Sequence, residues 1–116
     1  MEKEFKLKAE QIKEILEWNG ADGCIATDKI TVEGSKVGYM YREEPSNGYD
    51  SGWRFFEGSE SDEYLDDANN SAVYKLNTIC NYDTEIIPFL NAPYGTAYGR
   101  NEKGEFVEEI LNIPEE

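Results

Sequence analysis

Histidine does not occur anywhere in the 116 residues. That absence excludes a Ser-His-Asp or Cys-His catalytic arrangement and every zinc site that needs imidazole. Cysteine is scarce: Cys24 and Cys80 stand far apart, each in an apolar run, so a cysteine-only zinc site is excluded too. One disulfide is open to this pair, although free buried cysteines also serve as small hydrophobes. No GxxxxGK[ST] or GxGxxG string occurs, which removes the common phosphate and dinucleotide loops. No apolar run approaches the roughly 18 residues of a membrane helix. The charged start MEKEFKLKAE lacks the apolar stretch of a secretory signal. The expected location is the cytoplasm. Cations are the last shortage: 11 Lys and Arg face 25 Asp and Glu, a formal charge of −14. The imbalance is uneven, with 8 cations against 12 anions in residues 1–58 and 3 against 13 in residues 59–116. Such a field repels phosphate backbones and anionic lipid, so neither nucleic acid nor membrane is expected as a partner. It attracts basic proteins and speeds their arrival, and it also serves plain solubility.

What is present suits a folded chain. Hydrophobic residues make up 39% and aromatics 13%, enough for a core without disulfide or metal in a single domain spanning 1–116. Phe5, Ala9, Ile12 and Leu16 recur at helical spacing and predict an amphipathic helix over 5–18. Asn19-Gly20 closes it, so the N-terminal helical unit is 5–20 and the remaining core is 21–110. Strands are expected at Cys24–Ile30 and Lys36–Arg42 around a turn at 32–35, then at Trp53–Glu57 after a Pro/Gly loop. Ser59–Asn70 reads as a loop or a short helix capped by Ser59 or Ser61. A short strand follows at Ala72–Leu76. Asp83 caps a helix from Thr84 to about Asn91, and a hairpin of Thr96–Arg100 and Glu105–Glu109 closes the chain. The expected class is α+β: an antiparallel sheet of about five strands packed against the N-terminal helix and one or two short helices.

With histidine absent, acid–base chemistry would need a positioned carboxylate pair, and no pair stands out among the 25 acids. No catalytic residue, metal or cofactor is expected, and the chain is read as a non-enzyme. Glu57, Glu60, Asp62, Glu63, Asp66 and Asp67 form an acidic cluster. It lacks the Asp-x-Asp-x-Asp-Gly order of a calcium loop and fits either a solvated face or a seat for a partner's Lys and Arg. The stretch Asp50–Gly58 adds Trp53, Arg54 and Phe56, residue types enriched at binding hot spots. Alternation puts Trp53 and Phe55 on one face, Arg54 and Phe56 on the other. Either the Trp53 face is core, with Arg54 paired to a carboxylate such as Asp50, or Trp53, Arg54, Phe56 and Tyr64 join the acids in a partner-binding surface. In the string Leu76–Asp83 the residues Asn77, Asn81 and Tyr82 either cap turns or line a polar pocket with Arg54. That pocket would serve a small-ligand-binding or housekeeping role.

Three phrases carry a family likeness: CIATDKITVEGSKVGYMYREEP (24–45), DSGWRFFEGSESDEYLDD (50–67) and YKLNTICNYDTEIIPFLNAPYGTAYGR (74–100). Together they resemble the bacterial immunity-protein-33 domain over residues 24 to about 109, leaving the segment 5–18 outside. The resemblance implies a small cytosolic antitoxin of a polymorphic toxin system. Its partner would be a cognate, basic toxin domain, and it would act by binding alone. It brings no established contact residues with it.

Overall fold

The computed structural model describes residues 4–109. Six strands form one mixed sheet in the order β4-β1-β3-β2-β5-β6. They are β1 (Gly23–Thr27), β2 (Tyr39–Arg42), β3 (Asp50–Phe56), β4 (Ser71–Lys75), β5 (Ala97–Arg100) and β6 (Phe106–Glu109). Three short α-helices, α1 (Asp28–Thr31), α2 (Asp62–Asp66) and α3 (Leu76–Tyr82), accompany them, with a 3-10 helix at Thr84–Phe89. The α+β expectation is met, with one strand more than expected and one parallel pair, β1 with β3.

Period-two alternation sorts the strands into two faces. Cys24, Ala26, Met40, Trp53 and Phe55 point to one side and are fully buried. Ile30, Val37, Leu76, Ile79, Cys80, Ile86 and Leu90 close over them as one core. Trp53 stacks on Phe55 at 5.9 Å, and its indole N–H donates to the Leu90 carbonyl at 2.9 Å. That bond ties the 3-10 region to the sheet centre. The opposite face carries Val73, Ile25, Arg54 and Tyr41 in one register row and Phe56, Tyr39, Gly99 and Val107 in another. It stays partly open: Val73 is 73% exposed.

The strand expected at Cys24–Ile30 ends at Thr27 and turns into α1, which buries Ile30 and Thr31. β1 and β2 are consequently not a hairpin; β3 lies between them. β3 accommodates both neighbours through an irregularity after Asp50, where Gly23 faces Asp50 but Ile25 already faces Arg54. Gly52 sits there at φ 94°. A Cβ at this position would strike the Glu43 carbonyl oxygen, so glycine meets a steric and a conformational demand at once. β2 and β3 pair as a hairpin across the Pro/Gly loop, and β5 and β6 form the closing hairpin that the pattern predicts. Ser61 caps α2 by accepting from the Tyr64 N–H, and Asp83 accepts from the Glu85 N–H. The second of these opens a 3-10 helix, not an α-helix running to Asn91, because Pro88 supplies no N–H and crowds the preceding turn.

The largest departure is the N-terminal segment. No α-helix spans 5–18; only a 3-10 turn at Ala9–Gln11 forms. The place of Ala9 in the apolar stripe, and residue 110 at the end of the expected core, lie outside what is described. Instead of an internal ladder, the main chain is held by side chains of α3. Asn77 Oδ1 accepts from the N–H groups of Ile15 and Leu16, and Asn77 Nδ2 donates to the Lys13 carbonyl. Asn81 accepts from the Lys13 N–H. The Tyr82 hydroxyl accepts from Leu7 N–H and donates to the Thr31 carbonyl. Leu16 and Trp18 pack against the core. These amides satisfy backbone groups that a helix would have satisfied internally. Asn77→Ala removes three such bonds. It should cost about 1–3 kcal/mol and expose the segment around Lys13 to trypsin at a protease level that spares the parent.

Candidate functional site

The acidic residues singled out from the sequence divide into two groups. Asp62, Glu63, Asp66 and Asp67 are exposed along α2 and its exit. Asp67 also accepts from the Asn69 N–H. Glu60 turns inward: its carboxylate accepts from Thr27 Oγ1 at 2.6 Å and from the N–H groups of Glu57 and Gly58 at 2.7 and 2.8 Å. Burial alone would raise its pKa, but these donors outweigh burial and hold the carboxyl below its ordinary range. Glu57 caps locally, accepting from Ser59. Glu60 and Glu57 thus lock the turn after β3, while the α2 acids form an anionic ridge beside it. Tyr64 lies under the Lys29 ammonium, 5.4 Å from its ring centre. Among the described residues, no three carboxylates or thiolates converge as a metal would require.

Trp53 is corrected as a surface candidate: it is fully buried in the core, as the period-two pattern allowed. Arg54 is also withdrawn from the surface, yet on the opposite sheet face. Its guanidinium forks onto Asp50 at 2.8 and 2.9 Å, and its Nε donates to Glu43 at 2.7 Å. Asp50 further accepts from Ser46 N–H, Ser46 Oγ and Gly52 N–H. The hydrogen bond from Arg54, against the opposing pull of burial, puts the Asp50 carboxyl far below the usual carboxylate range. The polar pocket of Arg54, Asn77, Asn81 and Tyr82 does not assemble. Arg54 lies on the open face of the sheet, whereas the α3 residues grip the N-terminal segment.

The remaining arginines are equally occupied. Arg42 donates to the carbonyls of Ser51 and Ala92 and lies 4.7 Å from the Tyr94 ring centre. Arg100 pairs with Asp83 at 2.6 Å and Glu85 at 2.7 Å. All three arginines of the chain are therefore held by internal partners, while the α2 carboxylates face solvent. Both thiols are buried. Burial pushes Cys24 well above the thiol range and Cys80 up to about 11, so neither is a nucleophile at neutral pH.

Sequence reading passed over the feature that joins these parts. On the open face Tyr41 stacks on Phe56 at 5.7 Å and 17°, and Tyr39 adjoins both at 6.1 and 6.0 Å. With Gly58, Glu60 and Leu65 these rings line a cleft of about 320 Å³. The alternation Tyr39-x-Tyr41 was the available signal; it shows that both rings share a face but not that the face stays open. α2 thus contributes Leu65 to the cleft and carboxylates to the ridge beside it.

The family model of the Immunity protein Imm33 domain matches residues 24–110, from β1 through the end of β6. No curated protein and no solved structure matches the chain.

Proposed function

We propose, from the premise that the chain belongs to the Immunity protein Imm33 domain family, that it protects its producer by docking onto a cationic surface of a cognate secreted toxin. The observation that carries this reading is the separation of charge. Arginines are tied up inside while Asp62, Glu63, Asp66 and Asp67 stand exposed on one ridge. A toxin whose substrate cleft is basic would be drawn to that ridge and covered by it. Binding in the cytoplasm suffices, and no chemistry by this chain is required. Trp53, named from the sequence as a contact, acts here as a support, while Glu60 orders the turn beside the ridge.

The test is co-expression with the C-terminal domain of the secreted toxin encoded beside the gene. The parent chain should restore growth. A variant carrying Asp62→Lys, Glu63→Lys, Asp66→Lys and Asp67→Lys, all at exposed positions, should fold normally and associate at least about 10-fold more slowly. Toxicity unchanged by the parent chain would end the immunity reading. Full speed in the charge-reversed variant would remove the ridge from it.

A further inference from the structure

We propose that the cleft between the Tyr39, Tyr41 and Phe56 rings and Leu65 is the anchor point for an arginine or lysine side chain of a basic protein partner. This rests on the reading above and names the chemistry of its contact. The stacked pair Tyr41 and Phe56, with Tyr39 tilted beside it, gives π-faces that attract a cation placed over them. The cleft volume, about 320 Å³, accepts a guanidinium with its methylene stem. A carboxylate already stands at its edge: Glu60 is oriented by Thr27 and two backbone N–H groups. Its Oε1 takes one of these bonds, from Gly58, leaving acceptor capacity for an incoming donor. Because those donors hold its pKa down, Glu60 remains charged at neutral pH.

The surroundings select a cation over other occupants. Glu109 lies over Gly99, beside Tyr39, and Glu43 lies beside Tyr41, raising the phenol pKa after burial has done so. No Lys or Arg lines the cleft. Arg54, on this face, is matched by two carboxylates, and Lys75, exposed on the same face at the β4 edge, does not line the cleft. A nucleic acid would meet only negative charge here, and a second copy of the chain would bring another −14. Exposed Leu65, which lines the cleft, supplies an apolar margin that excludes water around a buried anchor.

Two measurements test this. The first titrates isotope-labelled chain, at low salt, with acetyl-Arg-Arg-Arg-amide and with its citrulline counterpart, which keeps the shape and loses the charge. Resonances of Tyr39, Tyr41, Phe56 and Leu65 should move with the arginine peptide only. The second compares the affinity of parent, Tyr41→Ala and Leu65→Arg for the neighbouring toxin domain. Leu65 is exposed, so its variant should fold as the parent does. Each substitution should weaken binding by roughly 30-fold, while the salt dependence set by the α2 ridge persists. A parent that binds and a Leu65→Arg variant that binds equally well would overturn the cleft and leave the immunity reading standing. Peptide shifts confined to Asp62, Glu63, Asp66 and Asp67 would overturn it as well. So would a dimer of the chain that Leu65→Arg dissociates. If the parent does not bind the toxin domain, the reading above fails, and the peptide titration decides the cleft independently.

Discussion

Asp50→Ala is expected to lower folding stability by about 3–5 kcal/mol, the range for removing one partner of a buried ion pair. For a chain of this size that corresponds to a fall in Tm of roughly 15–20 °C. The effect is large because Asp50 serves five donors with two oxygens. Its loss leaves the Arg54 guanidinium with Glu43 and the Trp53 carbonyl only and orphans the Gly52 and Ser46 N–H groups. Those groups define the bulge and the loop before β3, so the β1–β3 pairing should loosen first. The same carboxylate predicts the acid response. Its folded pKa lies below its unfolded value of about 3.9. The stabilisation is therefore fully present above pH ~4 and is lost as pH falls through the folded pKa. Asp50→Asn should start less stable and lose less on acidification below pH 4. Thermal unfolding followed by circular dichroism at several pH values checks both statements; equal acid slopes in parent and variant would contradict the assignment.

Trp53→Ala carries the second large effect, about 3–5 kcal/mol from cavity formation at a fully buried site. Trp53→Phe retains most of the volume and removes the hydrogen bond to Leu90, so about 1–2 kcal/mol is expected. The pair of variants also separates core from interface. With Trp53 buried behind the sheet, Trp53→Phe should protect against the toxin as the parent does. A chemically unfolded fraction measured by tryptophan fluorescence gives the stabilities. A folded Trp53→Phe variant that fails to bind would return this residue to the contact surface.

The elements legible in the sequence are those whose determinants are local. Alternation puts Trp53 and Phe55 on one face and Arg54 on the other; a core Trp53 face with Arg54 paired to Asp50 is one of its two readings and the one the structure shows. Ser61 and Asp83 were recognisable caps because capping uses a side chain and an N–H two or three residues on. The N-terminal helix failed for the opposite reason. The apolar stripe of Phe5, Ile12 and Leu16 is real, but Asn77 and Asn81 satisfy the backbone of that segment from the far half of the chain, and tertiary bonds override a weak local propensity. In α3 the spacing of Leu76, Ile79 and Cys80 at i, i+3 and i+4 did announce a helix; its amides drew attention to turn chemistry instead. The parallel β1–β3 pairing has no short-range signature, since it depends on α1 interrupting the first strand. The aromatic cleft is half visible: the alternation Tyr39-x-Tyr41 puts both rings on one face, but only the missing cover over that face makes them a site.

The central claim is that an outward carboxylate ridge, with the arginines turned inward, recruits a basic protein. The most direct measurement is the association rate of the chain with the neighbouring toxin domain between about 0.01 and 0.1 M salt, where the Debye length falls from roughly 30 to 10 Å. The rate should drop by at least about 10-fold across that range in the parent and hardly at all in the variant reversed at Asp62, Glu63, Asp66 and Asp67. A parent rate indifferent to salt would contradict the claim.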